Sequence, residues 1–392
     1  MLILFGVITC SVGANVFVTC VAILAVDFKV FPREYGKTET FGVSLMDAGV
    51  GSFIISSAVT SKYARGVVVK SAGDTSRVFG IPYQKLLVLL LGVGRMVILK
   101  AINYQEHVSE YGVHWNFFVT LFCVWSVADV IHYMCDDRVR VGLLCCCHLL
   151  VYQMALVHTP LTAYMMSSDR SSGLISANKE GIVSLNGYIP LYLLTECISY
   201  YIFFDGGKQA ECGVHTHSCA ATNHHSHSTA RQGSSGGVKE STSDCQCDSP
   251  SAITSTALTR SPFYRMAAVT VLSWIVWIIS ASFLQATSRR LVNLAYTSLS
   301  LALSFSTITS LFVVEALTSS AHNTKSIPIK TPEYMSKHSL LVFLLANLMT
   351  GLVNKVFQTI HMSTWYSMAI LSLYTAFLNI VAWSSEKYLS KH

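Results

Sequence analysis

Charged side chains are scarce in this chain of 392 residues. Lys and Arg number 27 and Asp and Glu number 21, so that 12% of the residues are charged, whereas a soluble domain has about 25%. Hydrophobic residues make up 52% of the sequence. This balance excludes a soluble globular protein, a disordered chain and a small secreted scaffold held by disulfides.

Several sequence signals are also missing. No Asn-x-Ser/Thr acceptor for glycosylation occurs, so the sequence carries no such marker of a lumenal face. No internal repeat is evident, which disfavours a transporter built from two inverted halves. The 12 cysteines show no spacing typical of a disulfide framework. The first apolar run lacks the basic start and the cleavage site of a signal peptide, and we interpret it as a retained anchor.

Long apolar runs dominate the rest of the sequence. They can cross about 30 Å of hydrocarbon, and they are continuous rather than alternating, which indicates helices and not a membrane barrel. The sequence therefore predicts an all-α polytopic membrane protein with about ten transmembrane helices. The predicted spans are 2–26, 43–60, 86–102, 115–134, 140–158, 182–204, 263–285, 291–317, 338–358 and 364–384.

The segment 205–262 divides these spans into two groups. It is rich in Ser, Thr, Gly and His, so we expect a disordered loop between an N-terminal membrane region, 1–204, and a C-terminal membrane region, 263–392. An even number of spans puts both termini on one side. The short loops on that side hold 12 Lys and Arg against nine on the other, which predicts cytosolic termini. The net charge of +6 is interpreted as this loop bias, and no nucleic-acid partner is expected.

The loop between the first two predicted spans carries the first candidate site. Asp27 ends the first span, Pro32 breaks any helix in the loop, and Lys37 leads into the second span. A short loop between antiparallel helices brings Asp27 and Lys37 close together. A carboxylate can accept a proton from an attacking hydroxyl, and an ammonium can stabilise an oxyanion or hold a phosphate. The alternative is a solvated interfacial loop with a snorkelling lysine.

Asp47 is a second candidate, because an acid inside an apolar run is costly and is usually functional or paired. Gly49 and Gly51 follow it and weaken the second predicted span. We expect Asp47 to contribute to substrate binding, as we do for Arg95 in the third span. The alternative is a structural ion pair of Asp47 with Arg95 or Lys100.

The segment 104–118 is a third candidate and is dense in polar residues. If it is helical, His107, Glu110 and His114 lie on one face, a spacing that could hold a metal ion. We favour a polar network that binds a hydroxylated or phosphorylated headgroup, and the remaining alternative is an ordinary interface with an aromatic belt. The residues expected to bind substrate here are Glu106, His107, Glu110, His114, Trp115 and Asn116.

The sixth span begins with a fourth candidate. Asn178 can cap the start of the helix, and Lys179 adds a cation at the membrane face, so both are expected on the substrate side. Arg289 and Arg290 form a basic pair that could meet a phosphate or could serve only as a topology signal.

Two further patterns carry little information. His132 and Asp137 match the H-x4-D spacing of glycerolipid acyltransferases, which arises easily by chance in a sequence with 14 His. The His-rich run 215–227 resembles a metal-sensing loop, although a low-complexity loop has the same composition. A zinc transporter would explain that loop, but it would need paired His and Asp ligands inside the spans.

Five segments resemble the GPI inositol-acyltransferase family, PIG-W. They are Asp27–Phe53, Gly94–Leu121, Asn178–Tyr192, Ser288–Tyr296 and His338–Asn354, in family order along nearly the whole chain. The second segment, GRMVILKAINYQEHVSEYGVHWNFFVTL, is long and distinctive. The resemblance implies a multi-pass enzyme of the endoplasmic reticulum. It would transfer a fatty acyl chain, typically palmitoyl, from acyl-CoA to the inositol 2-hydroxyl of glucosaminyl-phosphatidylinositol.

The resemblance also implies roles for residues. The family's proposed catalytic Asp and Lys match Asp27 and Lys37, so that Asp27 would take the hydroxyl proton and Lys37 would stabilise the thioester oxyanion. Acyl-CoA is then a co-substrate, no cofactor or metal is needed, and the catalytic loops are expected in the lumen. Glu34 stands where the family usually has a basic residue, so a phosphate contact is lost there. A non-catalytic assembly subunit, the remaining alternative, would need no such pair.

Overall fold

The computed structural model describes residues 2–66, 77–78, 81–101, 108–170, 173–203, 253–321 and 330–389. Residues 104–107 of the third candidate segment lie outside the described residues, and they include the predicted binding residues Glu106 and His107. The His-rich run 215–227 also lies outside them. The predictions made for these positions therefore remain sequence predictions.

Helices make up most of the described chain. They are α1 Leu2–Ala25, α2 Asp47–Val59, α3 Tyr83–Ala101, α4 Val108–Tyr111, α5 Phe117–Met134, α6 Arg138–His158, α7 Leu161–Met166, α8 Leu174–Ala177, α9 Lys179–Phe203, α10 Ile253–Ile279, α11 Leu294–Ala321, α12 Lys330–Lys337, α13 Ser339–Val356 and α14 Thr364–Leu389. Short 3-10 turns cover Arg33–Tyr35 and Thr359–His361, and one π turn covers Ser280–Leu284. Strands β1, Arg77–Val78, and β2, Ile81–Pro82, pair in antiparallel fashion.

Eight helices of the described chain are long and apolar enough to cross a membrane. They confirm the all-α polytopic class and eight of the predicted spans. The other two predicted spans are helical but differ from these. Helix α2 has 13 residues and rises only about 20 Å, and α3 carries Lys85, Arg95 and Lys100. Helix α10 begins at Ile253, inside the segment that the sequence predicts to be a loop up to 262.

The helices on either side of the 205–262 segment pack together. One buried cluster joins Ile54 of α2 to Tyr188 of α9 and Phe305 of α11. A second cluster joins the end of α1 to α13 and α14, with Leu24, Phe28, Val353 and Leu378 among its members.

Helix α14 also links α1 and α13 through one hydroxyl. The Tyr374 hydroxyl lies 3.2 Å from the Cys20 carbonyl oxygen of α1 and 3.3 Å from the Ala346 carbonyl oxygen of α13. Because Tyr374 is 3% exposed, these bonds form in the interior. The hydroxyl thereby joins the last two turns of α1 to the middle of α13.

Candidate functional site

Asp27 lies two residues beyond the end of α1. Its backbone N–H donates to the Leu24 carbonyl oxygen at 3.1 Å, which continues the turn of the helix. Asn354, in the last turn of α13, donates from Nδ2 to Asp27 Oδ2 at 2.7 Å. The carboxylate is therefore held by an amide from the far end of the sequence.

Lys37 lies in the same loop and forms an ion pair with Glu110 of α4. Its Nζ lies 2.9 Å from both carboxylate oxygens. Arg289 Nη1 contacts the same carboxylate at 3.0 Å. The Lys37 side chain is 40% exposed, whereas that of Arg289 is 7% exposed. Thus a buried cation and an exposed cation share one carboxylate, and the exposed cation faces outward. A direct Asp27–Lys37 pairing stays a prediction.

The charges around Glu110 determine its protonation state. Burial raises the pKa of the Glu110 carboxyl, but the positive charges of Lys37 and Arg289 outweigh burial and leave this pKa below its ordinary value. In turn, burial lowers the pKa of Arg289, but Glu110, Tyr111, Tyr188 and Asp47 together outweigh burial, so that this pKa is raised. Glu110 is therefore a carboxylate at neutral pH and a weak proton acceptor. Its geometry suits it to hold Lys37.

Asp47 begins α2 and is 3% exposed. Its carboxylate accepts hydrogen bonds from the backbone N–H and hydroxyl groups of Thr38 and Ser44, between 2.8 and 3.3 Å. Arg289 Nε donates to Asp47 Oδ1 at 2.9 Å. The ion pair described for Asp47 is thus with Arg289 rather than with Arg95 or Lys100. These bonds close the loop 38–44 that follows Lys37.

The turn 286–293 also holds the loop 38–44 through two hydrogen bonds. The Gly42 N–H donates to the Thr287 carbonyl oxygen at 2.8 Å, and the Ser288 hydroxyl donates to the Thr40 carbonyl oxygen at 2.5 Å. Gly42 has a φ of +128°, a backbone conformation that favours glycine.

Val292 gives the same turn an unusual backbone. Its φ of 49° is the positive value of the left-handed region, where a β-branched side chain is strained. Such strain persists only where the surrounding structure fixes the backbone. Asn293 supplies part of that fixation, because its Oδ1 accepts from the N–H groups of Ser288 and Tyr296. A strained and well-fixed turn therefore presents Arg289 and its neighbour Arg290.

Arg290 joins a second group of charges. Its Nη2 lies 2.7 Å from Glu180 Oε1, and both terminal nitrogens of Arg170 bind the same carboxylate at 2.7 Å. The hydrogen bonds that Arg170 donates to Glu180 raise the pKa of Arg170. Glu180 is fully buried. We call Arg170, Glu180 and Arg290 the Arg290 network, and Lys37, Asp47, Glu110 and Arg289 the Arg289 network.

Lys179, next to Glu180, is also fully buried. Its Nζ donates to the carbonyl oxygens of Tyr164, Ser167 and Asp169 and to the Ser167 hydroxyl, between 2.7 and 3.1 Å. An ammonium has three donors, so these acceptors take up its hydrogen-bonding capacity. Lys179 therefore fastens the segment after α7, and a substrate contact for it stays a prediction.

The third and fourth candidate segments come together. Helix α4 ends at Tyr111, because Gly112 has a φ of +120° and lies against the backbone of Asn178. The His114 N–H donates to Asn178 Oδ1 at 2.7 Å. Glu110 and His114 are thus not on one continuous helix, and the helical face that could have held a metal does not form between them. His114 Nδ1 lies 3.1 Å from Lys100 Nζ instead.

Trp115 and Asn116 support this segment. Trp115 Nε1 donates to the Thr120 hydroxyl at 2.8 Å. The Asn116 side chain accepts from the N–H groups at the start of α5, and it donates to the Gly92 carbonyl oxygen at 2.7 Å. Arg95, on α3, is exposed, and its charge also lowers the pKa of Glu110. Substrate contacts of these residues stay predictions.

An apolar cleft of about 220 Å³ lies against the C-terminal half of α1, and its lining includes Val26, the residue before Asp27. A neighbouring cavity of about 510 Å³ shares Tyr35 and Leu45 with it and includes Ser44. The cleft is lined by Phe17, Val18, Val21, Ala22, Ala25, Val26, Phe31, Tyr35, Leu45 and Thr375. Apolar space therefore adjoins the loop that carries Lys37.

His132 and Asp137 do not act together. His132 Nε2 lies 3.1 Å from Glu196 Oε2, and its ring stacks on Tyr63. Asp137 caps the start of α6. The two residues of the H-x4-D spacing are thus divided between a contact with Glu196 and a helix cap.

Three contributors were not predicted from the sequence: Arg170 and Glu180 of the Arg290 network, and Asn354, the partner of Asp27. Glu180 had a usable signal, because an acid in the first turn of an apolar span is expected to be paired. For Asn354 the only signal in the sequence was its position at the end of His338–Asn354, one of the segments that resemble the family. Its partner, Asp27, is 327 residues away.

Comparison with known proteins identifies the family. The sequence model of the GWT1 family matches residues 3–385. Glucosaminyl-phosphatidylinositol-acyltransferase PIGW from Bos taurus is 30% identical over 388 residues, which cover 94% of this chain and 70% of the relative. Phosphatidylinositol-glycan biosynthesis class W protein from Dictyostelium discoideum is 30% identical, with 93% and 70% covered. GPI-anchored wall transfer protein 1 from Candida glabrata is 31% identical, with 94% and 72% covered. These matches confirm the resemblance, and this multi-pass membrane protein belongs to the GWT1 family.

Proposed function

We propose that the chain is an O-acyltransferase of GPI-anchor biosynthesis. It moves a fatty acyl chain from acyl-CoA to the inositol 2-hydroxyl of glucosaminyl-phosphatidylinositol, and it needs no cofactor. The observation that carries this proposal is the similarity, over 94% of the chain, to a relative named glucosaminyl-phosphatidylinositol-acyltransferase. The position of Asp27 and Lys37 just beyond a span supports a reaction at the membrane surface, where a lipid headgroup lies.

Asp27 supplies the base in this proposal. Its carboxylate accepts the proton of the inositol hydroxyl while the hydroxyl oxygen attacks the carbonyl carbon of the thioester. The tetrahedral intermediate then collapses, the carbon–sulfur bond breaks, and CoA leaves as a thiolate. The thiolate takes up the proton from Asp27, so the carboxylate is regenerated without a covalent acyl-enzyme intermediate.

Lys37 stabilises the oxyanion of that intermediate. An ammonium carries three N–H donors, and both hydrogen bonds described for Lys37 go to Glu110. Arg289 holds Glu110 from the buried side. The arrangement fixes the ammonium in place while leaving it exposed toward a substrate.

The predicted binding residues divide by exposure. Arg95 and His114 are exposed, and we assign them to contacts with the phosphate and the amino sugar of the headgroup. Glu106 and His107 are assigned to the same side. The buried members of the set shape the walls of the site. They are Asp47, Asn116, Asn178 and Lys179.

The apolar cleft beside α1 offers a place for the acyl chain. Its lining is almost entirely apolar and includes Val26, the residue before Asp27. The thioester carbon would then lie near the proposed base.

We place the protein in the endoplasmic reticulum membrane, with both termini in the cytosol and the catalytic loops in the lumen. The Lys and Arg excess in the short loops supports this orientation. The named role of the relatives in GPI biosynthesis supports the compartment.

An acyl-transfer assay tests the proposed function. Membranes that contain the chain are incubated with labelled palmitoyl-CoA and glucosaminyl-phosphatidylinositol, and the lipid product is treated with phosphatidylinositol-specific phospholipase C. The product should resist the phospholipase, because an acylated 2-hydroxyl cannot attack the phosphodiester. Membranes with Asp27→Asn at matched abundance serve as the control. Abundant, folded parent protein that forms no resistant product would overturn the proposal.

A further inference from the structure

Asn354 makes a hydrogen bond that the proposed reaction can use. Its Nδ2 donates to Asp27 Oδ2 at 2.7 Å. Its Oδ1 is buried and has no hydrogen-bond partner in the described part of the chain. A side-chain amide with a purely structural role is expected to satisfy both of its ends when buried. In Asn354 the amide nitrogen is bonded to Asp27 while the amide oxygen has no hydrogen-bond partner in the described part of the chain.

The chemistry of the two groups determines the orientation of the amide. An ionised carboxylate can only accept hydrogen bonds, so the Asn354 amide must present its NH2 group to Asp27. The Oδ1 atom then points away from the carboxylate. A carboxylate oxygen has more than one acceptor position, and the bond from Asn354 leaves Asp27 able to accept a proton.

The surrounding packing keeps this geometry. Val353, adjacent to Asn354, belongs to the same buried cluster as Leu24, Ala25 and Phe28, which flank Asp27 along the chain. The end of α13 is therefore packed against the end of α1. Because both partners are attached to these packed helix ends, the amide and the carboxylate lose little further freedom when they bond.

We propose that Asn354 is the positioning residue for the base of acyl transfer: its amide fixes the orientation of the Asp27 carboxylate and favours the ionised form. This inference rests on the proposed function. A hydrogen bond to the charged form of a carboxylate favours that form, and a fixed orientation lowers the entropic cost of reaching the reactive geometry. Asn354 itself does not contact the reacting atoms.

The first test compares two substitutions on the same helix. Asn354→Asp keeps the size of the side chain but places a second carboxylate against Asp27, and two adjacent carboxylates share a proton up to a higher pH. Asn347→Asp is the matched control, because the Asn347 amide donates to the Phe343 carbonyl oxygen of its own helix. The acidic limb of the kcat profile should move upward by about one pH unit or more for Asn354→Asp, and it should not move for Asn347→Asp.

A second test measures the effect of Asn354 on the protonation of Asp27 without requiring enzymatic activity. The infrared band of protonated carboxyl groups is followed against pH in the purified full-length protein, and the Asp27 contribution is identified by its loss in Asp27→Asn. In Asn354→Leu this contribution should appear at a higher pH than in the parent, because the donor to the charged form is gone. The reading remains informative if the parent shows no acyl transfer, so failure of the proposed function is separate from failure of this inference.

Two results would overturn the inference. One is a folded Asn354→Asp protein whose pH profile matches the parent. The other is an Asp27 infrared titration that Asn354→Leu leaves unchanged.

Discussion

Two neighbouring arginines of one turn serve two different environments. Arg289 joins the Arg289 network, which ends at Lys37 with a side chain 40% exposed. Arg290 joins the Arg290 network, whose central Glu180 is fully buried. Both networks place two cations on one carboxylate. They differ in that only the Arg289 network extends to an exposed ammonium, that of Lys37. The same kind of charge pairing can therefore hold a reactive group at the surface in one place and stabilise the buried fold in another.

The backbone conformation of the turn explains how Arg289 and Arg290 can join separate networks. Val292 adopts a φ of 49°, and Gly187 lies so close to it that an added Cβ would be 2.1 Å from the Val292 carbonyl oxygen. The turn is therefore wedged against α9. We infer that this fixation lets Arg289 and Arg290 point into separate networks.

The largest expected effects on activity come from substitutions of Asp27 and of the exposed Lys37. Asp27→Asn keeps the size of the side chain and removes the base, and Lys37→Ala removes the cation. Each should lower acyl-transfer turnover by roughly 10²–10⁴-fold, measured with labelled acyl-CoA at equal protein abundance. The double variant should be much less than multiplicatively worse, since both groups act in one step.

Lys37→Arg sharpens the same prediction. It retains the charge but changes its shape, so near-zero activity favours a positioned oxyanion donor and partial activity favours a phosphate contact. Turnover of Asp27→Asn within about threefold of the parent, far short of the range for acid–base groups, would show that the base lies elsewhere.

Substitutions in the Arg290 network should lower the stability of the fold. Glu180→Gln leaves the buried Arg290 guanidinium without its carboxylate, and breaking a buried pair in this way costs about 3–5 kcal/mol. Arg290→Ala leaves Glu180 paired with Arg170 alone, so its cost should be smaller. We expect a lower Tm and a lower abundance in membranes, measured by thermal scanning in detergent. Arg140→Ala is a control, because its pair with Asp137 is exposed and such pairs contribute about 0–1 kcal/mol. Equal Tm values for all three variants would remove the distinction between the networks.

Glu110 links stability to pH with a defined sign. Its pKa is lowered in the folded protein, so its ion pairs stabilise the fold above the ordinary pKa of a glutamic acid, about 4.3, and this contribution is lost as the pH falls further. The Tm difference between the parent and Glu110→Gln should be constant from about pH 6 to 8 and should shrink below about pH 4. A difference that grows on acidification would contradict the assigned ion pairs.

The smallest effect is expected from the His-rich segment. Deletion of 212–248 should leave acyl transfer within about threefold of the parent, because the segment's composition does not favour a packed core. A well-folded deletion protein that loses acyl transfer would assign the segment a role in the reaction. Binding of zinc by the parent, with no acyl product at any stage, would favour a metal transporter.

Features that depend on nearby residues could be predicted from the sequence, and contacts between distant residues could not. Eight spans follow from apolar runs that are local in the chain. The helical face of Glu110 and His114 fails because Gly112 ends α4 with a positive φ. The polar character of Asp47 and Lys37 was visible, but the partners were not.

The separations along the chain explain this limit. Arg289 binds Asp47 across 242 residues, and Asn354 binds Asp27 across 327 residues. No periodicity or spacing reports such contacts, because they depend on how whole helices pack. These contacts therefore form only when the helices that carry or flank the two partners are packed together.

The most direct test of this account is the acyl-transfer rate per folded molecule in Lys37→Ala and Arg290→Ala, with the folded fraction of each variant measured by size-exclusion chromatography. We expect Lys37→Ala to fold like the parent but to transfer the acyl chain at least about 100-fold more slowly. We expect Arg290→Ala to yield less folded protein, whose molecules retain a rate within about tenfold of the parent. A normal rate in folded Lys37→Ala, together with full loss in folded Arg290→Ala, would contradict both expectations.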